Sequence, residues 1–332
     1  MNRTPLIETR GLTKYFVSRP GLLSRRKKCV VALDGVDLSI YRQETLGVVG
    51  ESGCGKTTLG RAIMCLIRPT AGQVMFEGQD IVPLSRREMR RYRRDMQMVF
   101  QSPYSSFDPR FTVLNSIAEP LRAHTPLRGE TLVARARELL EQTGMPGEIV
   151  HRYPHEFSGG QLQRIAVARA LALNPKFIVL DEPTSALDVS VQAQIINLLQ
   201  ALQRELKLTY LFISHDLSVV QHISDRIAVM YLGQVVELST PEAIFYGGAH
   251  HPYTRALLAS APILDPELRR ERLILKGGVP DPMNPPPGCR FHPRCPGCAA
   301  ICSEVEPGLM DIGNGHLVAC HHSRPRYRDH LS

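Results

Sequence analysis

Short apolar runs separated by polar and glycine-rich segments recur along this chain. Runs of this length bounded by turn residues are typical of buried strands, and they occur at 45–49, 177–180, 210–213 and 226–231. Apolar residues at helical spacing lie between the strands, most clearly at 132–142 and 162–173. This alternation of strands and helices predicts an α/β protein that contains a parallel sheet.

The pattern changes along the chain in a way that indicates domains. Residues 1–100 alternate strand-like runs with loops, residues 102–157 are more helical, and the α/β alternation returns at 160–245. Further on, residues 280–288 contain too many prolines for a helix or a central strand. We predict one large domain over 1–246, with a helical subdomain at 102–157, and a small C-terminal extension over 247–332.

A glycine-rich turn joins the first predicted strand to a helix. Its glycines let several backbone N–H groups point at phosphate oxygens, and the helix N-terminus adds a partial positive charge. Lys56 supplies a charge for the β- and γ-phosphates, and the Thr57 hydroxyl is a ligand for Mg²⁺. A chance glycine turn is the alternative, but the strand and the helix that a phosphate loop requires are both present. The predicted ATP-binding loop consists of Gly50, Glu51, Ser52, Gly53, Cys54, Gly55, Lys56, Thr57 and Thr58.

Two acidic residues follow the apolar run at 177–180. A buried parallel strand delivers such side chains to the carboxyl edge of a sheet, where nucleotides bind. We expect Asp181 to hold Mg²⁺ and Glu182 to act as the general base toward the attacking water. An exposed acidic turn after a core strand is the alternative.

A second segment suited to phosphate begins the helical pattern at 162–173. Ser158 is a natural N-cap, and two glycines after it allow close approach of the backbone to an anion. One nucleotide does not need two such sites in one chain, so we expect this segment to bind the γ-phosphate held by a partner's loop. Here the chain resembles the ATP-binding-cassette (ABC) ATPases, whose signature motif is matched by Ser158, Gly159, Gly160 and Gln161.

The resemblance implies the fold and further site residues. It implies a RecA-like core, an antiparallel β subdomain and a helical subdomain that docks on a membrane partner. Tyr15 would stack on adenine, although a plain core tyrosine is the alternative. Gln101 would contact Mg²⁺ and water, Asp188 would lie at the interface between two ATPase subunits, and His215 would bond the γ-phosphate.

The region beyond residue 250 resembles the C-terminal extension of the oligopeptide/dipeptide permease ATPases, and the whole chain is most similar to the second ATPase of a dipeptide permease. Five of the eight cysteines fall in the last 44 residues. Clustered cysteines in a loop-rich module of a cytoplasmic protein suggest a metal site. The matching residues are His251, Pro252, Tyr253, Asn284, Pro285, Pro286, Pro287, Gly288, Cys289, Phe291, Arg294, Cys295, Pro296, Cys302, Val318, Ala319 and Cys320.

Three interpretations of these cysteines stay open. Some members of the resembled subfamily hold a [4Fe–4S] cluster at the positions of Cys289, Cys295, Cys302 and Cys320, and four thiolates suit it. Zinc is the main competitor, although its usual close ligand spacing is met only by Cys295 with the extra Cys298. The third interpretation is that they are ordinary loop cysteines without a metal.

Composition fits a peripheral membrane subunit. The net charge is +8, and an arginine-rich run at 86–94 contributes to it. We interpret that run as a solvated face, with proximity to a membrane second, since no module for nucleic acid is visible. No apolar run of about eighteen residues and no secretory leader is present, so we expect the chain at the cytoplasmic face of the inner membrane.

The resemblance implies an ATPase subunit that powers the import of dipeptides or oligopeptides. Its partners would be a second, similar ATPase subunit, two transmembrane permease subunits and, indirectly, an extracytoplasmic peptide-binding protein. Related ATPases serve glutathione or nickel instead, and this chain does not build the substrate pocket. A non-transport ABC ATPase is a further alternative, but such proteins usually have a long coiled-coil insertion or two cassettes, and neither is present here.

Overall fold

The computed structural model describes residues 4–17, 29–185, 187–248, 250–260 and 277–323. Parts of the predicted extension, at 249, 261–276 and 324–332, therefore lie outside the described residues. The chain divides into two compact units. Unit 1 comprises residues 1–4, 40–45 and 83–213, and unit 2 comprises 5–39, 46–82 and 214–332. The predicted boundary at 246 stays a prediction.

Unit 2 contains the first strands, the glycine-rich turn and the extension. The strands are β1 (Pro5–Val17), β2 (Cys29–Tyr41), β3 (Thr45–Val49), β4 (Ala71–Phe76), β5 (Gln79–Asp80), β9 (Arg226–Tyr231), β10 (Gln234–Ser239), β11 (Met310–Asp311) and β12 (Leu317–Val318). One sheet has the strand order β2-β1-β4-β5, in which β4 is antiparallel to both of its neighbours. In a second sheet, β3 runs parallel to β9, and β10, β12 and β11 continue from β9 as antiparallel neighbours.

The helices of unit 2 are short and lie between or after these strands. Helix α8 is capped by Asp216, whose carboxylate accepts from the N–H of Ser218 at 2.9 Å. Such a cap satisfies an N–H group that a helix terminus leaves without a partner. The helices are α1 (Lys56–Ile63), α8 (Leu217–Ile223), α9 (Pro241–Phe245), α10 (Pro252–Ser260) and α11 (Ala300–Glu304), with a 3₁₀ turn at His292–Arg294.

Unit 1 combines a parallel sheet with helices. The elements are α2 (Arg86–Asp95), β6 (Met96–Val99), α3 (Pro103–Ser106), α4 (Val113–His124), α5 (Gly129–Gln142), α6 (Gly159–Leu171), β7 (Phe177–Asp181), α7 (Val189–Leu206) and β8 (Thr209–Ile213). Strand β7 lies between β6 and β8, with Val99 opposite Leu180 and Leu180 opposite Phe212. Every residue of β7 and β8 is buried, as the uninterrupted apolar runs predict for strands covered on both faces.

The structure confirms the predicted α/β class and most predicted elements. The predicted strand at 226–231 coincides with β9, and those at 177–180 and 210–213 differ from β7 and β8 by one residue at one end. Residues 102–157 contain only helices and turns, including 3₁₀ turns at Gly147–His151 and Pro154–Glu156. The arginine-rich run forms α2, whose buried residues are Met89 and Tyr92 while most of its arginines face solvent. Among the described residues, every helix is too short or too polar to cross a bilayer.

Within unit 2, the extension contacts the sheet through a buried carboxylate on β10. Strand β12 pairs with β10, which places Glu237 opposite Val318. The Glu237 side chain is fully buried and accepts from the N–H groups of His250 at 3.0 Å and His251 at 3.1 Å, while Nε2 of His316 lies 2.7 Å from it. Burial alone would raise the pKa of Glu237, but the hydrogen bonds, that of His316 foremost, outweigh burial and lower it.

Candidate functional site

The glycine-rich turn follows a fully buried strand and begins helix α1. Gly50 has φ +154° and Gly55 has φ +108°, and an added Cβ would overlap the carbonyl oxygen of Met230 at the first position and of Ala32 at the second. Only glycine fits such backbone. Lys56 is 5% exposed, and its ammonium donates to the carbonyl oxygens of Gly50 at 2.8 Å and Glu51 at 3.0 Å. The loop is therefore a closed turn with a lysine folded over its own backbone.

The remaining loop residues differ in exposure. Ser52 and Gly53 face solvent, while Thr57 and Thr58 are half-buried at the start of α1. Cys54 is buried, and burial raises the pKa of its thiol, so the thiol is neutral at physiological pH. These positions leave the tip of the loop accessible to a ligand and its cysteine enclosed.

Glu51 is bonded to the C-terminal extension. Its N–H donates to the Tyr253 hydroxyl at 2.8 Å. Its carboxylate accepts two hydrogen bonds from the Arg294 guanidinium, at 2.8 and 3.0 Å. This ion pair, followed by the hydrogen bond to Tyr231, raises the pKa of Arg294 against the effect of burial.

A second chain of contacts from the extension reaches Tyr15. Tyr15 is half-buried, and its hydroxyl donates a hydrogen bond to the Asp34 carboxylate at 3.0 Å. Asp34 in turn forms an ion pair with Arg290. Arg290 also donates to the Leu232 carbonyl oxygen. Burial, with the bond to Asp34, raises the pKa of Tyr15. Part of its ring surface stays accessible, as stacking on a base requires.

His215 lies near the end of β3 in the same unit. The N–H of Ser214 donates to the Val48 carbonyl oxygen at 3.1 Å, which places His215 beside the strand that leads into the loop. The Ser214 hydroxyl accepts from the N–H of Asp216 at 3.0 Å. The imidazole is exposed, so it is accessible to a ligand.

Unit 1 brings together Gln101, Asp181 and Glu182. Asp181 is the buried last residue of β7, and Glu182 follows it with a left-handed backbone, φ +47°. The Gln101 amide donates to the Glu182 carboxylate at 2.8 Å. Left-handed backbone is uncommon outside glycine, and strain of this kind clusters at functional sites.

The segment at 158–161 forms the predicted helix start. The Ser158 hydroxyl accepts from the N–H of Gln161 at 3.4 Å, and the Gln161 side chain accepts from the N–H of Ser158 at 3.0 Å. This reciprocal pair is a capping box, and it leaves both side chains at the surface. Gly160 is buried against Val191, which an added Cβ would overlap, so the helix packs closely on the start of α7, where exposed Asp188 is the N-cap.

The four predicted cluster cysteines are neighbours in unit 2. Cys302 and Cys320 are buried, Cys289 and Cys295 are half-buried, and Cys298 is exposed. Burial, together with the thiols of Cys302, Cys320 and Cys295, raises the pKa of Cys289 to about 11. Across the described ranges, however, no three or more His, Cys, Asp or Glu side chains are grouped to hold a metal ion. Four cysteine thiols are ligands of the type that binds iron or zinc, but their side chains are not arranged as a metal site in this structure.

Two family models and several curated relatives match this chain, and the relatives match it over nearly its whole length. The family described as "ABC transporter" matches residues 33–185, and "Oligopeptide/dipeptide transporter, C-terminal region" matches 236–302. The oligopeptide transport ATP-binding protein AppF of Bacillus subtilis is 51% identical over 96% of this chain and 98% of its own length. This chain belongs to the ABC transporter ATP-binding proteins of the oligopeptide/dipeptide group. A putative peptide import ATP-binding protein of Brucella ovis is 50% identical over 96% of this chain and 98% of its own.

Solved ABC cassettes share the fold. A dimeric cassette in a post-hydrolysis state with ADP and phosphate is 32% identical, with a TM-score of 0.63 over 71% of this chain and 98% of its own. The protein cbiO1 of Clostridium perfringens, part of an ABC transporter complex, is 26% identical, with a TM-score of 0.61 over 73% and 90%. Membership of this ATPase family implies that ATP and Mg²⁺ are the nucleotide and its metal.

Two contacts of the ABC ATPase's loop were not predicted from its sequence. Tyr253 and Arg294 were expected in the extension without a role of their own, yet both contact Glu51. Asp34 and Arg290, which connect the extension to Tyr15, were not singled out. The only available signal was that Tyr253 and Arg294 match a family motif, and a motif does not show which distant residue it contacts.

Proposed function

We propose that this chain is the ATP-hydrolysing subunit of an ABC importer of dipeptides and oligopeptides. The proposal is supported most by identity of about half the residues to peptide-transport ATP-binding proteins along their full length. A phosphate loop in which two positions accept only glycine is the local feature that ATP binding requires.

We propose these roles in hydrolysis. The loop at 50–58 binds the phosphates of ATP, Tyr15 stacks on adenine, and Thr57, Gln101 and Asp181 hold Mg²⁺, which neutralises phosphate charge when bound. Lys56 supplies a second positive charge to the γ-phosphate as the bond to ADP breaks. To reach that phosphate, its ammonium must exchange the carbonyl oxygens of Gly50 and Glu51 for phosphate oxygens.

The water that attacks the γ-phosphate needs a base and a second contact. We assign the base to Glu182, which takes a proton from the water as its oxygen bonds to phosphorus. The bond from Gln101 to this carboxylate would orient it, and the left-handed backbone at Glu182 would aim it. The exposed His215 holds the water and the γ-phosphate.

The exposed signature segment supports a dimeric enzyme. We propose that Ser158, Gly159, Gly160, Gln161 and Asp188 contact the ATP bound by a second, homologous ATPase subunit. The capping box leaves the N-terminus of α6 at the surface, where a partner's γ-phosphate can approach it. Two permease subunits and an extracytoplasmic peptide-binding protein would complete the transporter, with this chain on the cytoplasmic face of the inner membrane.

We propose further that the extension at 247–332 binds a [4Fe–4S] cluster through Cys289, Cys295, Cys302 and Cys320. Burial, with the charges of neighbouring cysteines, raises the thiol pKa values of Cys289 and Cys295, which supports a shared ligand, and binding would draw the sulfur atoms together and release protons. Zinc is the alternative ligand. Iron, acid-labile sulfide and zinc per chain, measured on protein purified without oxygen, decide between them, with Cys298→Ser as the control that should leave the metal in place.

The transport function is tested by reconstitution. The chain is expressed with two permease subunits and a second ATPase from the same transporter, placed in proteoliposomes, and assayed for ATP-dependent uptake of labelled dipeptides, glutathione and nickel. We expect dipeptide uptake that Lys56→Ala abolishes. Uptake of glutathione or nickel alone would overturn the substrate assignment, and failure of the wild-type chain to hydrolyse ATP in the complex would overturn the function.

A further inference from the structure

We propose that Arg294 and Tyr253 of the C-terminal extension are positioning residues for the ATP-binding loop, and that Arg294 neutralises an acidic residue inside it. This inference rests on the proposed function, because it assigns a role toward the nucleotide phosphates. The extension would then be a working part of the nucleotide site as well as a module that ends the chain.

The first observation is that Glu51 is bonded through three of its groups. Its N–H donates to the Tyr253 hydroxyl, its carbonyl oxygen accepts from Lys56, and its carboxylate accepts twice from Arg294. Two of these contacts come from residues more than two hundred positions away in the sequence. Since phosphate would replace the contact from Lys56, the contacts that keep the conformation of the loop at Glu51 are those from the extension.

The second observation is electrostatic. A loop that collects N–H groups and a lysine around phosphates is weakened by a free carboxylate, which repels the same phosphates. The Arg294 side chain is 7% exposed and meets the Glu51 carboxylate in a two-bond fork, the strongest form of this pair. The pair therefore offsets the negative charge of Glu51 inside the loop.

The third observation is that Arg294 is itself fixed by packing. Its guanidinium lies 5.9 Å from the Tyr231 ring centre and 6.0 Å from that of Phe291, within the range of cation–π attraction. The Tyr253 ring packs 4.6 Å from Tyr231 and 5.5 Å from Phe291. The aromatic cluster of Tyr231, Tyr253 and Phe291 thus holds both contacts to Glu51 in one rigid arrangement.

The fourth observation is the parallel contact to the predicted adenine site. Arg290, four residues before Arg294, pairs with Asp34, which bonds the Tyr15 hydroxyl. One short segment of the extension therefore reaches both the phosphate loop and the tyrosine.

The test is a double-mutant cycle, in which each single variant removes the charge of one partner of the pair between Arg294 and Glu51. The full-length chain is made as wild type, Arg294→Gln, Glu51→Gln and the double variant, and the affinity for Mg-ATP is measured by calorimetry together with KM and kcat for hydrolysis. Arg294→Gln leaves the carboxylate of Glu51 uncompensated, so we expect ATP affinity to fall and KM to rise about tenfold, with kcat at saturating ATP changed less than about twofold. The double variant removes that carboxylate and should recover most of the affinity.

Three controls separate this role from a general loss of structure. Arg10→Gln removes another two-bond pair with a glutamate in the same unit, Arg10 with Glu8, and should leave KM unchanged. Arg294→Lys retains the charge but not the fork and should give an intermediate KM. Tyr253→Phe retains the ring and removes the acceptor of the Glu51 N–H, so we expect a smaller rise in KM, about threefold.

The outcomes are distinguishable. Normal ATP affinity in folded Arg294→Gln, or a double variant no better than Arg294→Gln, would overturn the inference while the ATPase function stands. Should Arg294→Gln not fold, the comparison of Arg294→Lys with Glu51→Gln decides, since the inference requires weaker binding in the first and wild-type or tighter binding in the second. A wild-type chain that binds no ATP would instead refute the proposed function itself.

Discussion

Replacement of Glu237 by alanine tests how the extension is attached to the ATPase fold. The carboxylate is fully buried, and three of its partners are the N–H groups of His250 and His251 and the imidazole of His316. The two N–H groups belong to the chain just before α10, and His316 immediately precedes β12. Removal of this side chain therefore leaves donors without an acceptor in two segments of the extension, the one before α10 and the one before β12.

The magnitude follows from burial. Each buried donor left without an acceptor costs about 1–3 kcal/mol, and the loss of one partner from a buried ionic contact costs about 3–5 kcal/mol. Since the three contacts share one carboxylate, their costs do not add fully. We expect Glu237→Ala to lower the free energy of unfolding by about 3–5 kcal/mol.

Urea unfolding followed by circular dichroism measures this change, with Glu306→Ala as the control. Glu306 is an exposed carboxylate that accepts from Gln234, also on β10, at 2.6 Å. An exposed contact contributes little, so the control should change stability by less than about 0.5 kcal/mol. If Glu237→Ala lowered the free energy of unfolding by less than about 1 kcal/mol, the buried carboxylate would not be what attaches the extension. Its hydrogen bonds would then contribute little to stability.

Three further predictions concern the loop, the base and pH. Gly55→Ala should destabilise the chain about 2 kcal/mol more than Gly53→Ala in thermal unfolding, because both have positive φ but only the first added Cβ overlaps a carbonyl oxygen, that of Ala32. Glu182→Gln should bind ATP with wild-type affinity yet hydrolyse it at least about 100-fold more slowly in a phosphate-release assay, and a wild-type rate would exclude Glu182 as the base. Burial lowers the pKa of His251 to about 4, so below pH 6.5 the unfolded chain takes up a proton that the folded chain refuses, and stability falls as pH drops toward 4. Between pH 7.5 and pH 5, wild type should lose about 2 kcal/mol more stability than His251→Asn in urea unfolding; equal losses would show that His251 is not the group responsible.

The elements that sequence predicted well are those whose signal is local. The run Thr45–Val49 has no charged residue and is apolar after its first position, and it forms the fully buried β3. The glycines at 50 and 55 are required by the backbone at those same positions, and Ser158 caps the helix that begins at the next residue. In each case the physical cause lies within a few residues of its effect, so a single sequence contains it.

Contacts between distant segments were not predictable in the same way. Arg294 and Glu51 are 243 residues apart, and nothing in the composition around either residue indicates the other. The cysteines illustrate the same limit, because their number and spacing suggested a metal while the described structure does not group three or more ligands. Spacing along a chain constrains ligand geometry most where the intervening backbone is regular, and residues 277–299 contain no α-helix or strand.

The contacts of the extension explain what three of the residues that match the permease ATPases do in this structure. Tyr253 bonds the loop backbone, Arg294 pairs with the loop carboxylate, and Phe291 packs against Tyr253 and Tyr231. None of these three is a cysteine, so none of them is a thiolate ligand of a metal that the neighbouring thiols would bind. Because Arg290 and Arg294 lie between Cys289 and Cys295, a metal held by those two cysteines would brace the segment that contacts the ATP-binding loop. The residues by which the extension matches the permease ATPases therefore include contacts that hold the phosphate loop as well as a candidate metal site.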